Sequence, residues 1–186
     1  MLEGFPIAVT LADGAVITLR PMTKDDENDV SRFFGSLPTE ATRFLRNDVT
    51  NRKIIAGWMR ELDYLKTLPL LAEHDGKIVA SSSLHRQTFG WGRHVGEVRI
   101  VIDPSFQRRG LGRILLEQIS RMGAGSGLRK LVARVVSTQG EVIAAFEKSG
   151  FHQVATLEKY VKDAKKHYAD ISIMVKDLVP GTSTRA

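Results

Sequence analysis

The sequence predicts an α/β (α+β) fold in which helices cover both faces of one mixed β-sheet. Two observations predict it: short apolar runs joined by turn signals fill the first half of the chain, and strands alternate with amphipathic helices in the second half. The 186 residues, 42% hydrophobic and 26% charged, suit a single compact domain. No internal repeat is evident.

The first half is predicted to meander. A strand follows the Asp13-Gly14 turn signal, Thr23 caps the first helix, and Pro38 opens a second helical region. Asp75-Gly76 is a strong hairpin signal between two further strands. The predicted strands are Ala15–Arg20, Leu70–Glu73, Lys77–Leu84 and His94–Ile102, and the predicted helices are Thr23–Phe34 and Thr39–Leu65.

The second half is predicted to alternate helix and strand. Apolar residues between Gly110 and Met122 share one helical face, and glycines end both predicted helices. The predicted helices are Gly110–Met122 and Gly140–Lys148, and the predicted strands are Lys130–Val136, Phe151–Tyr160 and Tyr168–Val175. Residues 1–14 are predicted to be an N-terminal extension, and residues 179–186, rich in Pro, Gly, Thr and Ser, a flexible tail.

Composition narrows the function classes. The chain has no cysteine, which excludes disulfides, Cys-ligated zinc and a Cys-linked acyl-enzyme, and which suits a reducing cytoplasm. No apolar run approaches the ~18 residues that span a bilayer, and the start does not resemble a secretory signal. The five histidines lack metal-ligand spacing. We therefore expect a cytoplasmic protein without a catalytic metal.

Charge points to an anionic ligand at one segment. The net charge of +6 favours anionic partners. Residues Gln107 to Arg113 lie between a predicted strand and a predicted helix, where glycines allow close approach and the first helical N–H groups have no internal partners. Arg108, Arg109 and Arg113 crowd the positive end of a helix dipole, which suggests a bound anion. The alternative is a solvated basic turn.

The run Val101-Ile102-Asp103-Pro104-Ser105-Phe106-Gln107-Arg108-Arg109-Gly110-Leu111-Gly112 resembles the acetyl-CoA motif of GNAT N-acetyltransferases. The resemblance extends over residues 15–178 and implies a mostly antiparallel sheet of six to seven strands flanked by about four helices. It implies acetyl-CoA as cosubstrate and no metal. The implied cofactor-binding residues are Ile100, Val101 and Ile102, whose backbone would pair with the pantetheine arm, and Gln107, Arg108, Arg109, Gly110, Leu111, Gly112 and Arg113 around the diphosphate.

Glu97 is the candidate general base for removing a proton from an amine. Strand alternation puts Glu97, Arg99 and Val101 on one sheet face and Val98, Ile100 and Ile102 on the other. A partly buried carboxylate with a pKa near neutrality would suit the role, and the resemblance to bacterial protein-lysine acetyltransferases supports it. The alternative is a Glu97–Arg99 or cross-strand ion pair.

Other roles carried over from the family are less well matched. Phe146 stands where many relatives have a tyrosine that protonates the departing thiolate, and Gln139 stands where they have asparagine. Apart from the family, Tyr160 is a conceivable alternative acid, although a tyrosine near a strand end is more often an amphipathic core residue. The acceptor site is expected between the first two helices and the loop joining the last two strands. Residues that could line it are Arg43, Arg46, His85, Arg86 and Trp91.

Two functions fit the sequence. The first is direct acetyl transfer to a primary amine, either a protein lysine or N-terminus or a small molecule; the second is an acyl-CoA-binding sensor without turnover. A nucleic-acid-binding role is disfavoured because the arginines cluster at one helix start without interleaved aromatic residues. No membrane partner is expected, and a homodimer is suggested only by the resemblance. Acceptor identity and acyl length stay open.

Overall fold

The computed structural model describes residues 4–163 and 165–178, which form eight strands and five α-helices around one sheet. The strands are β1 (Ile7–Thr10), β2 (Val16–Pro21), β3 (Thr67–His74), β4 (Lys77–Arg86), β5 (Val95–Ile102), β6 (Lys130–Val136), β7 (His152–Lys162) and β8 (Tyr168–Asp177). The helices are α1 (Glu27–Ser36), α2 (Thr39–Thr42), α3 (Arg52–Arg60), α4 (Leu111–Gly125) and α5 (Gly140–Lys148). The predicted tail, residues 179–186, lies outside the described residues, as do residues 1–3 of the predicted extension.

The sheet runs in the order β1-β2-β3-β4-β5-β6-β8-β7. Every neighbouring pair is antiparallel except β5 and β6, which are parallel because α4 carries the chain back between them. The predicted fold class is therefore confirmed, with one strand more than expected. The additional strand is β1, which pairs with β2 from Ile7↔Leu19 to Thr10↔Val16 inside the segment predicted as an extension.

The helical region predicted for Thr39–Leu65 is helical only in part, since α2 covers Thr39–Thr42 and α3 covers Arg52–Arg60. The chain leaves α2 at Thr42 and begins α3 at Arg52, because side chains between them bond to nearby backbone instead of allowing one continuous helix. Asp48 Oδ1 accepts from the Thr50 N–H at 3.1 Å, and the Asn51 side chain caps α3 by accepting from the Lys53 N–H at 3.0 Å. An irregular segment, residues 43–51, therefore crosses the sheet face between the two helices.

Two apolar cores lie on opposite faces of the sheet. The α4 side buries Leu84, Val98, Leu115, Ile119 and Met174, among others. The opposite core is formed by α1, α3 and sheet residues such as Leu71 and Ile78. No helix in residues 4–163 and 165–178 is long and apolar enough to cross a bilayer.

Strand β5 divides its side chains between these cores as the alternation predicts. Val98, Ile100 and Ile102 pack against the α4 core, whereas Val101 packs against the core of α1 and α3. Glu97 and Arg99 share the face of Val101. They therefore point toward the helices of the first half of the chain.

Candidate active site

The loop between β5 and α4 is shaped by local hydrogen bonds and by two left-handed residues. Asp103 Oδ1 accepts from the Ser105 N–H at 2.8 Å, which fixes the turn after β5. Gln107 Nε2 donates to the Ile102 carbonyl at 3.2 Å. Arg108 (φ +58°) and Gly110 (φ +91°) both adopt positive φ, and Gly110 does so without steric cost. The chain consequently turns sharply into α4.

Six consecutive backbone N–H groups of this loop, from Arg108 to Arg113, have no acceptor among the described residues. The first hydrogen bond of the helix is from the Ile114 N–H to the Gly110 carbonyl, at 3.2 Å. Unpaired donors at a helix N-terminus, together with the helix dipole, favour an anion. The loop and the first turn of α4 therefore present a row of available donors.

The three arginines of the loop have different environments. Arg109 bonds to Asp13 in the β1–β2 turn, and its guanidinium lies 4.4 Å from the centre of the Phe106 ring. The hydrogen bond from Arg109 lowers the pKa of the Asp13 carboxyl. Arg108 is largely exposed, 3.7 Å from Glu141, and Arg113 is exposed. Arg109 thus anchors the loop, whereas Arg108 and Arg113 are exposed at the start of α4.

Strands β5 and β6 separate beside this loop. Their parallel pairing covers Val95–Val98 against Lys130–Ala133, and within the described residues it goes no further. Residues Arg99 to Ile102 stay paired on their other edge with β4. The second edge of Ile100–Ile102 therefore faces a gap in the sheet. This open edge continues directly into the loop, where a Cβ on Gly112 would lie 3.4 Å from Ile102 Cδ1.

Glu97 lies at the start of the gap and is held by three guanidinium groups. Its carboxylate oxygens are 2.6 Å from Arg134 Nη1, 3.2 Å from Arg99 Nε and 3.5 Å from Arg46 Nη1. Burial favours the protonated acid, but the charges of Arg99 and Arg134 outweigh it, so the pKa of Glu97 is lowered. The near-neutral pKa expected from the sequence is not found. The alternative predicted from the sequence is found instead: Glu97 forms ion pairs with Arg99 and, across the strands, with Arg134.

A cavity of about 270 Å³ lies between the sheet and α1, α3 and the irregular segment, on the face of Glu97. Apolar side chains, including Val30, Phe34 and Trp58, form most of its wall, and Arg46, Arg99 and His85 contribute polar groups. Sequence reasoning missed Ser81 and Ser83, which also line it. The feature of the sequence that could have indicated them is the run of three serines, residues 81–83, in an otherwise apolar strand.

Only some of the residues expected to form the acceptor site line this cavity. Arg46 and His85 line the cavity, but Arg86 donates to the Tyr64 carbonyl at 2.7 Å and Trp91 is 97% exposed. His85 lies between Thr67 Oγ1, at 3.3 Å, and Ser83 Oγ, at 2.9 Å. Burial, reinforced by Arg99, lowers the pKa of His85 to about 4, so its imidazole is neutral at pH 7.

Arg43 joins the first helices to the loop between β7 and β8. Its Nε donates to Asp163 at 2.6 Å, and Asp163 also accepts from the His167 N–H at 2.8 Å. Although burial opposes ionisation, these bonds lower the pKa of the Asp163 carboxyl. The two regions expected to border the acceptor site are thus connected by an ion pair.

The residues considered for general-acid catalysis lie elsewhere. Phe146 is only 6% exposed and packs edge-on against Phe151, with ring centres 5.0 Å apart. Gln139 is the N-cap residue of α5. Tyr160 is 60% exposed on β7, and β6 and β8 separate that strand from β5. Across residues 4–163 and 165–178, no group of three or more histidine or acidic side chains could hold a metal ion.

Several solved structures share the fold of this chain. The chain aligns with an acetyltransferase of the GNAT family from Streptococcus pneumoniae (TM-score 0.75, 22% identity, 87% of this chain and 99% of that one). It also aligns with the GNAT domain of S. lividans PAT (TM-score 0.77, 21% identity, 92% and 96%). A third match is yncA from Salmonella typhimurium, solved with its cofactor acetyl-CoA (TM-score 0.76, 20% identity, 91% and 98%). At these identities the likeness establishes the fold.

Sequence comparison establishes the family. The model of the acetyltransferase (GNAT) family matches residues 34–151, and the chain belongs to that family. It is 37% identical over 68 residues to the ribosomal protein bS18-alanine N-acetyltransferase of Salmonella typhimurium strain LT2, covering 37% of this chain and 46% of that protein. It is 35% identical over 95 residues to the mycothiol acetyltransferase of Amycolatopsis mediterranei, covering 48% and 32%. These matches span less than half the length of either curated relative.

Proposed function

We propose that the protein is an acetyl-CoA-dependent N-acetyltransferase that moves the acetyl group directly to a primary amine in a ternary complex. The observation that carries the proposal is the row of six amides, from Arg108 to Arg113, for which the described part of the chain offers no acceptor. This row lies beside the open edge of β5. A diphosphate needs several donors, and an amide-containing arm needs an unpaired strand edge. Family membership and the acetyl-CoA bound to yncA support the same reading.

Each part of the cofactor then has a place. The open edge of Ile100, Val101 and Ile102 pairs with the amides of the pantetheine arm, as a short additional strand would. The amides of the loop and first helical turn bind the diphosphate, and Arg108 and Arg113 add charge. Gln107 and Arg109 hold the loop in shape, and buried Leu111 fixes the start of α4. Gly110 and Gly112 keep the approach clear of side chains.

The chemistry begins with a neutral amine. Its nitrogen attacks the thioester carbonyl carbon, the C–N bond forms and the C–S bond breaks, and coenzyme A leaves as a thiolate. A thiol of pKa ~8.5 is an acceptable leaving group, so buried Phe146 need not donate a proton. The amine proton passes to Glu97, directly or through water, and then to the thiolate. The products are an N-acetyl amine and coenzyme A.

The lowered pKa of Glu97 makes it a weak base, and the same arginines compensate for that weakness. Positive charge from Arg46, Arg99 and Arg134 disfavours an ammonium ion nearby and so increases the neutral fraction of the amine. Glu97 therefore has only to accept a proton that the acceptor releases readily.

We further propose, from the sequence analysis, that the protein is cytoplasmic, needs no metal and forms a homodimer.

A second candidate function is an acyl-CoA sensor without turnover. Two observations favour it: Phe146 has no hydroxyl to offer, and Glu97 is engaged by three guanidinium groups. A sensor would bind acetyl-CoA through the same amides. It would not release thiol in the presence of an amine.

Turnover and binding together separate the two functions. Thiol release is followed at fixed acetyl-CoA with a panel of amines, and acetyl-CoA affinity is measured by calorimetry for the wild type, Glu97→Gln and Glu117→Gln. Glu117 pairs with Arg121 on the exposed side of α4 and serves as the charge-matched control. We expect Glu97→Gln to bind acetyl-CoA normally and lose most turnover. Full turnover in that variant would remove Glu97 from the mechanism, and binding without turnover in the wild type would indicate the sensor.

A further inference from the structure

The charges around Glu97 do not balance. Arg46, Arg99 and Arg134 all contact this one carboxylate, and none of them forms a salt bridge with another carboxylate among the described residues. Arginine stays charged at all relevant pH values. The cluster therefore carries a net charge of about +2. Arg99 is partly buried, whereas Arg46 and Arg134 reach the carboxylate from the solvent side. Surplus positive charge that converges on one point favours an anionic group from a ligand.

The surplus lies between the gap and the cavity. Arg134 extends from β6 to Glu97 on β5, at the point where the two strands separate. Arg46 and Arg99 line the cavity itself. An acid group that binds them would therefore lie close to the reacting end of acetyl-CoA, which the proposed function places in the gap.

The rest of the cavity is suited to a small apolar group. Its volume of about 270 Å³ lies at or below the lower end of small-molecule pockets, roughly 300–1,000 Å³. Val30, Phe34, Leu45 and Trp58 line it. Two acidic residues, Glu61 and Asp63, also line it and lie in the segment that joins α3 to β3. Strand β3 is two strands from β5, about 10 Å. The two acidic residues are placed to meet the distal end of an acceptor, not its reacting amine.

We propose that the acceptor is a small amine with an acid group beside the amine and an apolar body, as in an α-amino acid with an apolar side chain. The inference rests on the proposed function and adds the substrate class. The acid group binds Arg46 and Arg99, which brings its amine next to Glu97, and the apolar side chain fills the cavity. A polyamine would be repelled by the arginines, and a lysine side chain has no acid group near its ε-amine.

The comparison of acids with their amides tests the acid group. At saturating acetyl-CoA, kcat/KM is measured by thiol release for L-leucine, L-methionine and L-phenylalanine, for their carboxamides, for spermidine and for an Nα-blocked lysine peptide. Loss of a charge-assisted hydrogen bond costs roughly 10-fold or more. We expect each acid to exceed its amide by at least that factor and to exceed both spermidine and the peptide.

Two variants locate the effect. Arg99→Gln and Arg46→Gln should each lower kcat/KM for the acids at least 10-fold and bring the ratio of acid to amide toward one, with acetyl-CoA affinity unchanged. The Arg46 side chain is 60% exposed, so its replacement spares the fold even if Arg99→Gln does not. Arg32→Gln, an exposed arginine of α1 that pairs with Asp29, is the matched control and should behave as the wild type.

The outcomes separate this inference from the proposed function. Equal use of acids and amides, or preference for spermidine or the lysine peptide, would overturn the substrate class and leave acetyl transfer intact. Turnover of none of these amines by a protein that binds acetyl-CoA would overturn the proposed function, and this inference with it. An acid preference that survives Arg46→Gln and Arg99→Gln would also refute the assigned site.

Discussion

Replacing Gly110 with alanine should weaken acetyl-CoA binding by straining the loop. Gly110 has φ +91°, and a Cβ built on it meets nothing within 4 Å, so the cost is conformational and not steric. An L-residue in the left-handed region costs roughly 1–2 kcal/mol. If the free loop relaxes to avoid this strain, binding must restore it, which corresponds to a loss of affinity of about 5- to 30-fold.

The strain should also appear in stability. For a domain of this size, each kcal/mol lowers Tm by roughly 2–4 °C, so Gly110→Ala should melt about 2–8 °C below the wild type if the loop keeps its conformation. Gly35→Ala is the matched control, because Gly35 lies in α1, has no positive φ and also has nothing within 4 Å of its Cβ. It should gain roughly 0.5–1 kcal/mol of stability and bind acetyl-CoA as the wild type does.

The assay combines calorimetric titration with acetyl-CoA and thermal unfolding, for the wild type and both variants. We expect Gly110→Ala to lose affinity, stability or some of each, according to how far the free loop relaxes. A variant with unchanged affinity and unchanged Tm would refute the left-handed conformation of the loop and the placement of its amides. Equal losses in Gly35→Ala would show that the effect is not specific to the loop.

Three further changes test the surroundings of the site. The urea midpoint of the wild type should fall as pH is lowered from 7 to 5, because His85 takes up a proton near the ordinary pKa of 6.5 in the unfolded chain, whereas the folded imidazole, with a pKa of about 4, stays neutral. The variant His85→Gln should lose this part of the pH dependence. An equal pH dependence in both proteins would contradict the lowered pKa of His85. Gly96→Ala should lower the unfolding free energy by about 1–3 kcal/mol, because its Cβ would lie 2.6 Å from the buried side chains of Leu84 and Leu128. A thermal melt like that of the wild type would refute this close packing. Arg43→Ala should speed tryptic cleavage between β7 and β8 relative to Arg32→Ala, since Asp163 loses its guanidinium partner, and equal cleavage would show that the ion pair does not hold the loop.

The sequence predicted those parts of the fold that depend on local pattern. The apolar face of α4 and the alternation of β5 follow from repeats of 3.6 and 2 residues, which operate over short distances along the chain. The loop after β5 was equally readable, because the glycines and the strand-to-helix context lie within one short segment. Strand β1 was missed because four residues of edge strand carry little pattern of their own.

Tertiary contacts decide what the sequence could not show. The apolar spacing predicts the buried face of α3, which carries Ile55 and Met59, but the helix ends at Arg60 and Leu65 is exposed beyond it. At the other end, Asp48 and Asn51 bond to local backbone and divide the predicted helical region. The partners of Glu97 show the same limit. Arg134 is 37 residues and Arg46 is 51 residues from Glu97 along the chain, so neither ion pair leaves a signal in the spacing.

The environment of Glu97 changes how its role is understood. Sequence reasoning sought a carboxylate with a raised pKa, whereas the folded chain holds it ionised between arginines. A site of this kind assists deprotonation through the charge felt by the acceptor as well as through the basicity of the carboxylate. The same charge provides the basis for the proposed recognition of an acid group.

Hydrogen exchange of the backbone amides from Arg108 to Arg113, measured with and without acetyl-CoA, tests the central claim most directly. These six groups have no acceptor among the described residues of the free protein, so they should exchange fast without ligand and become protected when the diphosphate binds. Protection should extend to amides of Ile100–Ile102 that face the gap. Saturation with acetyl-CoA that left the exchange of both segments unchanged would contradict the account.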